Sequence, residues 1–520
     1  MTENRDRRKE NVRKASTTIA KAAGIVMTAF LLSKTLGLVR TMVISAQFGT
    51  SPELDAYNAA FRLPDMVFQL IAGGALASAF IPTVSTYLTR KDEAGAWKLF
   101  SAVATWVLLI GTIVAAISSL LALPLVEHVI APGFSLHQQM LTASLMRWMF
   151  VGSVIFGVSG LVMANLNARQ HFLFPALAPS VYNIGIILGA WLLAPTYGVY
   201  GLVFGVVAGA AGHLLIQLPA LVRFGFRYTP WLGFHDPGVR EVLRLMGPRV
   251  VGISAVQINL LVNTILASGL SHGSLSALNY AWMLMLLPQG VFSQAVATAA
   301  FPTLSEQAAR NERKALNDTL GAILRTVFFL TIPASAMLIV LRKPIIALLL
   351  QRGNFTAHST DQVAFALQFY AMGLFAHSGV EILDRAFYAL HDTMTPVVVG
   401  ISAMVLNMAL SLWLVHPLQH GGLALANSIA TVGEMSALLW LMKKRLAGAG
   451  SWGLTTSVGK SLAGTAGMWA VLGWMLSVTR IPEWQMALIG LAAGVPLYLL
   501  LSYVLKVREL HMLKSLLRSR

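Results

Sequence analysis

The sequence predicts an all-α polytopic membrane protein of about fourteen transmembrane helices, built as two parallel six-helix repeats plus a C-terminal helix pair. Three observations carry this. Of 520 residues, 56% are hydrophobic and only 11% are charged, with mean hydropathy +0.69; a soluble globular chain carries about 25% charged residues. Long apolar runs recur along almost the whole length, and alternate connections between them are basic. Motifs of the first half return about 220 residues later in the second.

The apolar runs place spans near 18–46, 55–89, 95–124, 137–167, 172–194, 199–222, 241–269, 275–305, 317–341, 361–390, 395–415, 421–442, 457–479 and 484–506. None shows the ten-residue alternation of an outer-membrane barrel. The first run is too long for a cleaved signal peptide and is interrupted by Lys34 and Arg40, so it is expected to stay. "RDRRKENVRK", "TRKDEAGAWK", "NARQ", "RFGFRYTPWLGFHDPGVREVLR", "RNERK", "KKRLAGAG" and "KVRELHMLKSLLRSR" are basic. "FGTSPEL", "APGFSLHQQ", "APTYGVYG", "SGLSHGS" and "HPLQHGG" between them lack Lys and Arg. The positive-inside rule therefore sets both termini in the cytoplasm. "LRKPIIALLLQRGNF" is basic yet should face outward; its apolar piece reads as a short interfacial helix. The resulting segments are a basic cytoplasmic N-terminus (1–16), an N-lobe (17–223), a cytoplasmic linker (224–240), a C-lobe (241–446), a helix pair (447–508) and a basic cytoplasmic tail (509–520).

The duplication is visible in the letters. "SAFIPTVS" at 78–85 ends the second span and "TAAFPTLS" at 298–305 ends the eighth. "RQHFLFPALAPSVYN" at 169–183, followed by "GVYGLVFG", is echoed by "LHDTMTPVVVGISAMVLN" at 390–407, followed by "HGGLALAN". Six helices per repeat keep the same membrane orientation, which is a transporter architecture with its site between the halves. The net charge of +17 lies in the loops and termini, so it speaks for a membrane orientation and against nucleic acid. Cysteine is absent, which excludes thiol chemistry and Cys-based metal sites. There is no GxSxG, Walker A or HExxH motif, so no enzyme and no cofactor is expected.

Charged residues inside the spans are the functional signal, because each costs roughly 2.5–3.5 kcal/mol on insertion scales. Asp55, Asn58, Arg62 and Gln69 fall within about 60° on an ideal helix and form one polar stripe on the second span. Pro64 is expected to bend that span, leaving a freed carbonyl for cavity water. Lys34 and Arg40 lie about 120° apart on the first span, with Gly37 between them. The alternative for Arg40 is snorkelling to the outer surface, and for Asp55 capping a helix. A cationic stripe with one acid suits an anionic head group such as a pyrophosphate, with Arg as the bidentate clamp. On the tenth span His377, Glu381 and Asp384 share a face and could ligate a metal. A Glu381–Arg385 pair with His377 hydrogen-bonded nearby is the favoured reading, and no metal is assigned.

"SKTLGLVR", "DAYNAAFRLP", "FPALAPSVYNIGIILG", "FHDPGVREVLRLMGPRVVGISAVQINLLVNTILAS", "AAFPTLS", "QRGNFT" and "RAFYALHDTMTP" together resemble the MurJ (MviN) family of lipid II flippases, within the multidrug/oligosaccharidyl-lipid/polysaccharide (MOP) exporter superfamily. The resemblance covers nearly all of 17–510. It implies alternating access, a central cationic cavity for the head group, and a groove beside helices 457–506 that receives the polyprenyl tail. Lys34 falls where the family usually has an arginine, Arg40 matches its essential arginine, Asp55 its acid and Arg62 its basic residue in the second helix. The chain departs from the family further along that helix, with Phe68, Gln69 and Gly73 where two arginines and a glutamate are common. It departs again at "YAWM", where Trp282 and Met283 replace an Asp-Arg pair. Arg249, Glu381 and Arg385 are the candidates to compensate. The resemblance also implies coupling to a monovalent cation or to membrane potential. Asn263, Asn407 and Ser411 are the polar candidates; they include no carboxylate and make no sodium site.

The expected activity is transfer of lipid II, the undecaprenyl-pyrophosphate-linked disaccharide-pentapeptide, from the cytoplasmic to the outer leaflet of the bacterial inner membrane. Membrane lipids and cell-wall synthesis proteins are the expected partners, and the chain is read as a monomer. The alternatives are a flippase for another polyprenyl-linked glycan and a transport-inactive cell-wall scaffold. Export of a small cation is disfavoured by the basic stripe. The topology has a direct check. Cysteines placed at Ser51 and Thr229 of this Cys-free chain should label oppositely with an impermeant thiol reagent, Ser51 from outside; labelling of position 229 from outside overturns the orientation.

Overall fold

The computed structural model describes residues 2–71, 73–446, 450–479 and 481–510, with side chains from Gly24 onward apart from Ile25 and Ala75. Residues 447–449 of the inter-helix connection and 511–520 of the basic tail lie outside the described residues. Described residues form helices and turns, with no strand among them. Two units are distinguished, one running to Leu261 and one from Val262.

The first unit contains α1 (Thr2–Phe48), α2 (Pro52–Ile71), α3 (Gly74–Thr89), α4 (Glu93–Leu120), α5 (Leu136–Ala168), α6 (Leu173–Leu188), α7 (Val199–Leu215) and most of α8 (Pro237–Ser268). The second contains α9 (Ser274–Gln289), α10 (Ala295–Ala309), α11 (Arg313–Val340), α12 (Arg342–Leu349), α13 (Ala357–Ala389), α14 (Met394–Arg445), α15 (Leu454–Val478) and α16 (Glu483–Val504). Among the described residues thirteen helices are long and apolar enough to cross a bilayer. The longest, α14, has 52 residues. Unbroken, it would measure about 78 Å against a hydrocarbon core of about 30 Å. It is broken at Gln419, whose φ of 49° and ψ of −136° are not helical. Its two ends meet: Arg445 pairs with Asp392, just ahead of Met394. The Thr395 backbone N–H, 3.0 Å from the Asp392 carboxyl, and then Arg445 hold that group below the usual carboxylate range. α14 is therefore a hairpin of two crossings, and the total among the described residues is fourteen.

The duplication extends to the backbone. Left-handed conformations recur at Lys91 and Asn311, at Gln170 and His391, and at Gly198 and Gln419, each pair about 220 residues apart. These are the turns that end corresponding helices. α12 is the short helix expected in the basic outward connection, and Lys343 at its start pairs with Asp361 at 2.6 Å.

The second span differs from its expected course. It is not one helix over 55–89 but two, α2 and α3, interrupted at Gly73 (φ −72°, ψ −150°). Pro64 stays inside α2, and Ser153 of α5 donates to its carbonyl at 3.0 Å. The break falls at Gly73 because the chain doubles tightly there. A Cβ at this position would lie 2.8 Å from the Gln69 backbone, so a side chain is excluded.

Close backbone contact also joins α6 to α7. A Cβ on Gly185 would lie 2.4 Å from the Gly209 Cα, and one on Gly189 would lie 2.5 Å from the Gly205 Cα. In a bilayer, helices gain little from burying apolar surface against each other, so small residues that let backbones meet supply the packing. The other face of α6 holds α1, where Asn183 Nδ2 donates to the Ser33 carbonyl at 3.3 Å. In the second unit, Arg325 of α11 pairs with the buried Glu509 at 3.1 Å and donates to the Trp452 carbonyl. Trp452 Nε1 in turn donates to Asn317 at 2.6 Å, so α15, α16 and the residues after them are tied back to α11.

The α6–α7 contact sets a stability expectation. A Cβ at Gly205 would lie 2.8 Å from the Gly189 Cα. Gly205→Leu should destabilise by about 1–3 kcal/mol or more, as overpacking does, and lower the thermal midpoint in detergent. Gly459→Ala, where a Cβ meets nothing within 4 Å, is the control and should leave it in place.

Candidate functional site

In the first unit the expected cations lie on α1 and α2. Lys34 is exposed, its Nζ 5.2 Å from the centroid of Phe30. Arg40 is half-buried, within electrostatic reach of the hydroxyls of Tyr57 on α2 and Tyr182 on α6. Its charge is thus felt on two other helices of the unit. Asp55 is 2% exposed in the first turn of α2, where Ser51 Oγ accepts from the Leu54 N–H at 3.3 Å. A carboxylate in a first turn is stabilised by the helix dipole. Asn58 and Arg62 follow on α2, both half-buried. Arg62 lies in electrostatic reach of Asp65, and Asp65 hydrogen-bonds Gln69. The polar stripe thus includes Asp65, which was not counted as a site residue. The signal was present in the spacing: Asp65 stands three residues after Arg62 and four before Gln69.

The departures from the family pattern have packing explanations. Phe68 stacks edge-on against Phe156, centroids 5.4 Å apart, and is part of the interior of the unit. Gly73 occupies the break described above. Arg249 of α8 donates to Ser78 Oγ of α3 at 2.6 Å and so braces α3.

In the second unit Arg385 pairs with Glu381, its Nη2 and Nε both donating to Oε1 at 2.8 and 3.2 Å. His377 Nε2 lies 3.0 Å from Asn427 Oδ1 and 3.3 Å from Thr431 Oγ1. The row on α13 is thus a hydrogen-bonded tie to α14, and among the described residues no three His, Asp or Glu converge to hold a metal. Asp384, one turn away, lies in the field of Glu434, Glu381 and Arg385. Glu434 is the residue that sequence reasoning missed; a lone acid in the apolar run "NSIATVGEMSALLWL" was the available signal. Trp282 stacks edge-on against Tyr370 at 5.2 Å and His377 at 5.4 Å, an aromatic cluster where the family has charge. Asn407 and Ser411 are buried one turn apart on α14, and Asn263 is half-buried on α8.

An apolar cavity of about 380 Å³ opens beside α16. It is walled by Leu287, Phe292, Pro333, Met337, Leu491 and Val495, with the Tyr498 hydroxyl at one edge turned away to donate to the Phe329 carbonyl at 2.9 Å. α16, outside the duplicated core, therefore builds one wall of an apolar recess.

Among the described residues, fourteen crossings in two repeats, cations held among membrane helices and an apolar recess define a multi-pass membrane protein with a transporter architecture. A multidrug resistance MATE family transporter of the MOP superfamily in an inward-facing conformation shares the fold, with TM-score 0.67 at 15% identity over 82% of this chain and 98% of that one. The family model described as "Lipid II flippase MurJ" matches residues 44–492, and the chain belongs to that family. A "Probable lipid II flippase MurJ" from Vibrio cholerae is 33% identical over 427 residues, covering 80% of this chain and 81% of the relative. A "Lipid II flippase MurJ" from Burkholderia cenocepacia is 30% identical, covering 80% and 82%. The solved structure "Lipid II flippase MurJ, inward closed conformation" superposes with TM-score 0.78 at 27% identity, covering 92% of this chain and 98% of that one. The chain is a transporter, not an enzyme.

The α13 geometry gives an ordered expectation. Arg385 serves two acids, Glu381 and Asp384, while Glu381 serves one cation. Arg385→Ala should therefore destabilise the protein more than Glu381→Ala, and the double-mutant cycle should return a coupling on the order of 1 kcal/mol. Equal losses in thermal unfolding, with no coupling, would place the pair in open water.

Proposed function

We propose that this chain carries lipid II from the cytoplasmic to the outer leaflet by alternating access, with the pyrophosphate bound in a cationic cavity lined from α1 and α2. The observation that carries the reading is Arg40, a half-buried guanidinium on a membrane helix whose charge is felt at the Tyr57 and Tyr182 hydroxyls. A planar guanidinium matches a phosphate in two-pronged fashion, and in a partly dry site such a contact is strong. Lys34, Asp55, Asn58, Arg62 and Gln69 supply further polar contacts to the head group, with Asp65 orienting Arg62 and Gln69. Arg249, which braces α3, and the Glu381–Arg385 pair of α13 are the supporting residues. The apolar recess beside α16 suits a polyprenyl tail, whose transfer from water is favourable in proportion to the area covered. Both termini are cytoplasmic in this scheme, the monomer is the working unit, and transport draws on membrane potential or a monovalent cation.

One observation favours a second reading. The aromatic cluster around Trp282 leaves the second unit without a cationic contact at that position, which suits a transport-inactive homologue that organises cell-wall enzymes or a flippase for a different polyprenyl glycan.

Complementation of a strain depleted of its own lipid II flippase separates these readings, with membrane abundance measured in parallel. The wild-type chain should restore growth. Arg40→Ala should insert at least as well, since a charge leaves the membrane, yet fail to support growth; Arg40→Lys should support it partially. A fully expressed, fully active Arg40→Ala removes Arg40 from the site, and a wild-type chain that never complements favours the scaffold.

A further inference from the structure

On the face that carries the basic connections, the first turns of α4 and the segment Phe224–Trp231 enclose a cavity of about 880 Å³. Glu93, Ala94, Trp97 and Lys98 form one wall, and Arg227, Thr229 and Trp231 stand on the other. We propose that this cavity is a binding site for the phosphodiester headgroup of an anionic phospholipid of the cytoplasmic leaflet. It is separate from the α1–α2 stripe and rests on the proposed topology only for the choice of leaflet.

The cavity is built rather than formed by a loose loop. Ser101 Oγ donates to the Arg227 carbonyl and accepts from the Thr229 N–H, both at 3.3 Å. Thr105 meets the Tyr228 hydroxyl at 3.1 Å, and Trp106 Nε1 donates to the Leu232 carbonyl at 2.7 Å. Phe226 packs edge-on against Trp97 and Phe100, and Phe234 against Trp106. The segment is thus fastened along three turns of α4. Behind it Arg169, its side chain 5% exposed, lies over Trp97 at 4.4 Å and Phe224 at 5.3 Å and pairs with Glu93 at 2.9 Å.

The charge balance selects an anion. Arg169 neutralises Glu93, the acid of the lining. Lys98 sits 4.1 Å over the Trp231 ring, and neither Lys98 nor Arg227 has an acidic partner among the described residues. Lys98 and Arg227 therefore line, together with Thr229, a cavity wide enough for a phosphodiester. Burying a phosphate there recovers the attraction that these cations otherwise spend on water.

The surroundings select a lipid over a soluble phosphate. Phe226, Tyr228 and Phe234 are 37%, 42% and 58% exposed, an aromatic fringe of the kind found at headgroup level. Leu109 falls within about 20° of Lys98 around α4 and about 16 Å further along it. Leu109, Ile110 and Ile113 are all exposed and apolar. A phosphate at Lys98 would thus have its acyl chains running along an apolar helix face. Basic pockets at the cytoplasmic ends of membrane helices recognise anionic headgroups by this combination.

Native mass spectrometry of the full-length protein, equilibrated in detergent with dioleoyl-phosphatidylglycerol or dioleoyl-phosphatidylcholine, reads the proposal without transport. The wild type should retain phosphatidylglycerol preferentially. The Lys98→Gln/Arg227→Gln variant should lower that retention by about tenfold, whereas Arg310→Gln/Lys314→Gln, at an exposed basic turn elsewhere, should not. Arg227→Gln alone, in an exposed side chain, should show part of the loss at an unchanged thermal midpoint. Millimolar glycerol 3-phosphate should not displace the lipid. Equal retention of both lipids by the wild type, undiminished retention by the charge-neutral variants, or displacement by glycerol 3-phosphate would each overturn the proposal.

Discussion

Charge in hydrocarbon is costly, and the placement of several cations among the described residues answers to that cost. A lone guanidinium facing lipid is penalised by kilocalories, so each must find a partner, a polar cavity or the interface. Arg385 lies against Glu381, Arg325 against Glu509 and Arg169 against Glu93. Arg40 is different, since the groups that feel its charge are the Tyr57 and Tyr182 hydroxyls. The Arg325 and Arg169 pairs tie separate segments together, while the Glu381–Arg385 pair lies within α13.

Duplication supplies the frame on which these charges diverged. The left-handed turns at Lys91 and Asn311, Gln170 and His391, and Gly198 and Gln419 keep the helix ends in register between the repeats. Side chains between those turns are free to specialise. The first repeat carries the Asp55–Gln69 stripe, while at Trp282 the second carries an aromatic cluster with Tyr370 and His377. α16 then adds an apolar wall that neither repeat contains, and the C-terminal segment is held by the Arg325–Glu509 and Trp452–Asn317 contacts. The polar stripe and the apolar recess therefore lie in different parts of the chain.

Hydropathy, loop charge and repeated motifs were sufficient to read the class, the number of crossings and the duplication. The bilayer makes this possible, because it demands continuous helices of fixed apolar length and so writes topology into composition. The stripe of Asp55, Asn58, Arg62 and Gln69 was legible for the same reason: helical periodicity puts residues of known spacing on one face. The Glu381–Arg385 pair followed from its i, i+4 spacing.

Contacts between distant segments were not legible, because nothing in local spacing encodes them. Only the folded chain brings Tyr57 and Tyr182 to Arg40, Asn427 to His377 and Glu434 to Asp384, on helices separated by tens of residues. The break at Gly73 instead of Pro64 also belongs to the tertiary structure, since the excluded Cβ arises from how the chain doubles over Gln69. The fastening of residues 226–234 along α4 is of the same kind: as letters they are a basic loop, and the hydrogen bonds from Ser101, Thr105 and Trp106 turn them into the wall of a cavity. Sequence alone thus determined which segments cross the membrane and which faces are polar, through the uniform demands of hydrocarbon on any helix. Tertiary structure decided which charges are satisfied and which stay available to a ligand, because that depends on the partners packing delivers.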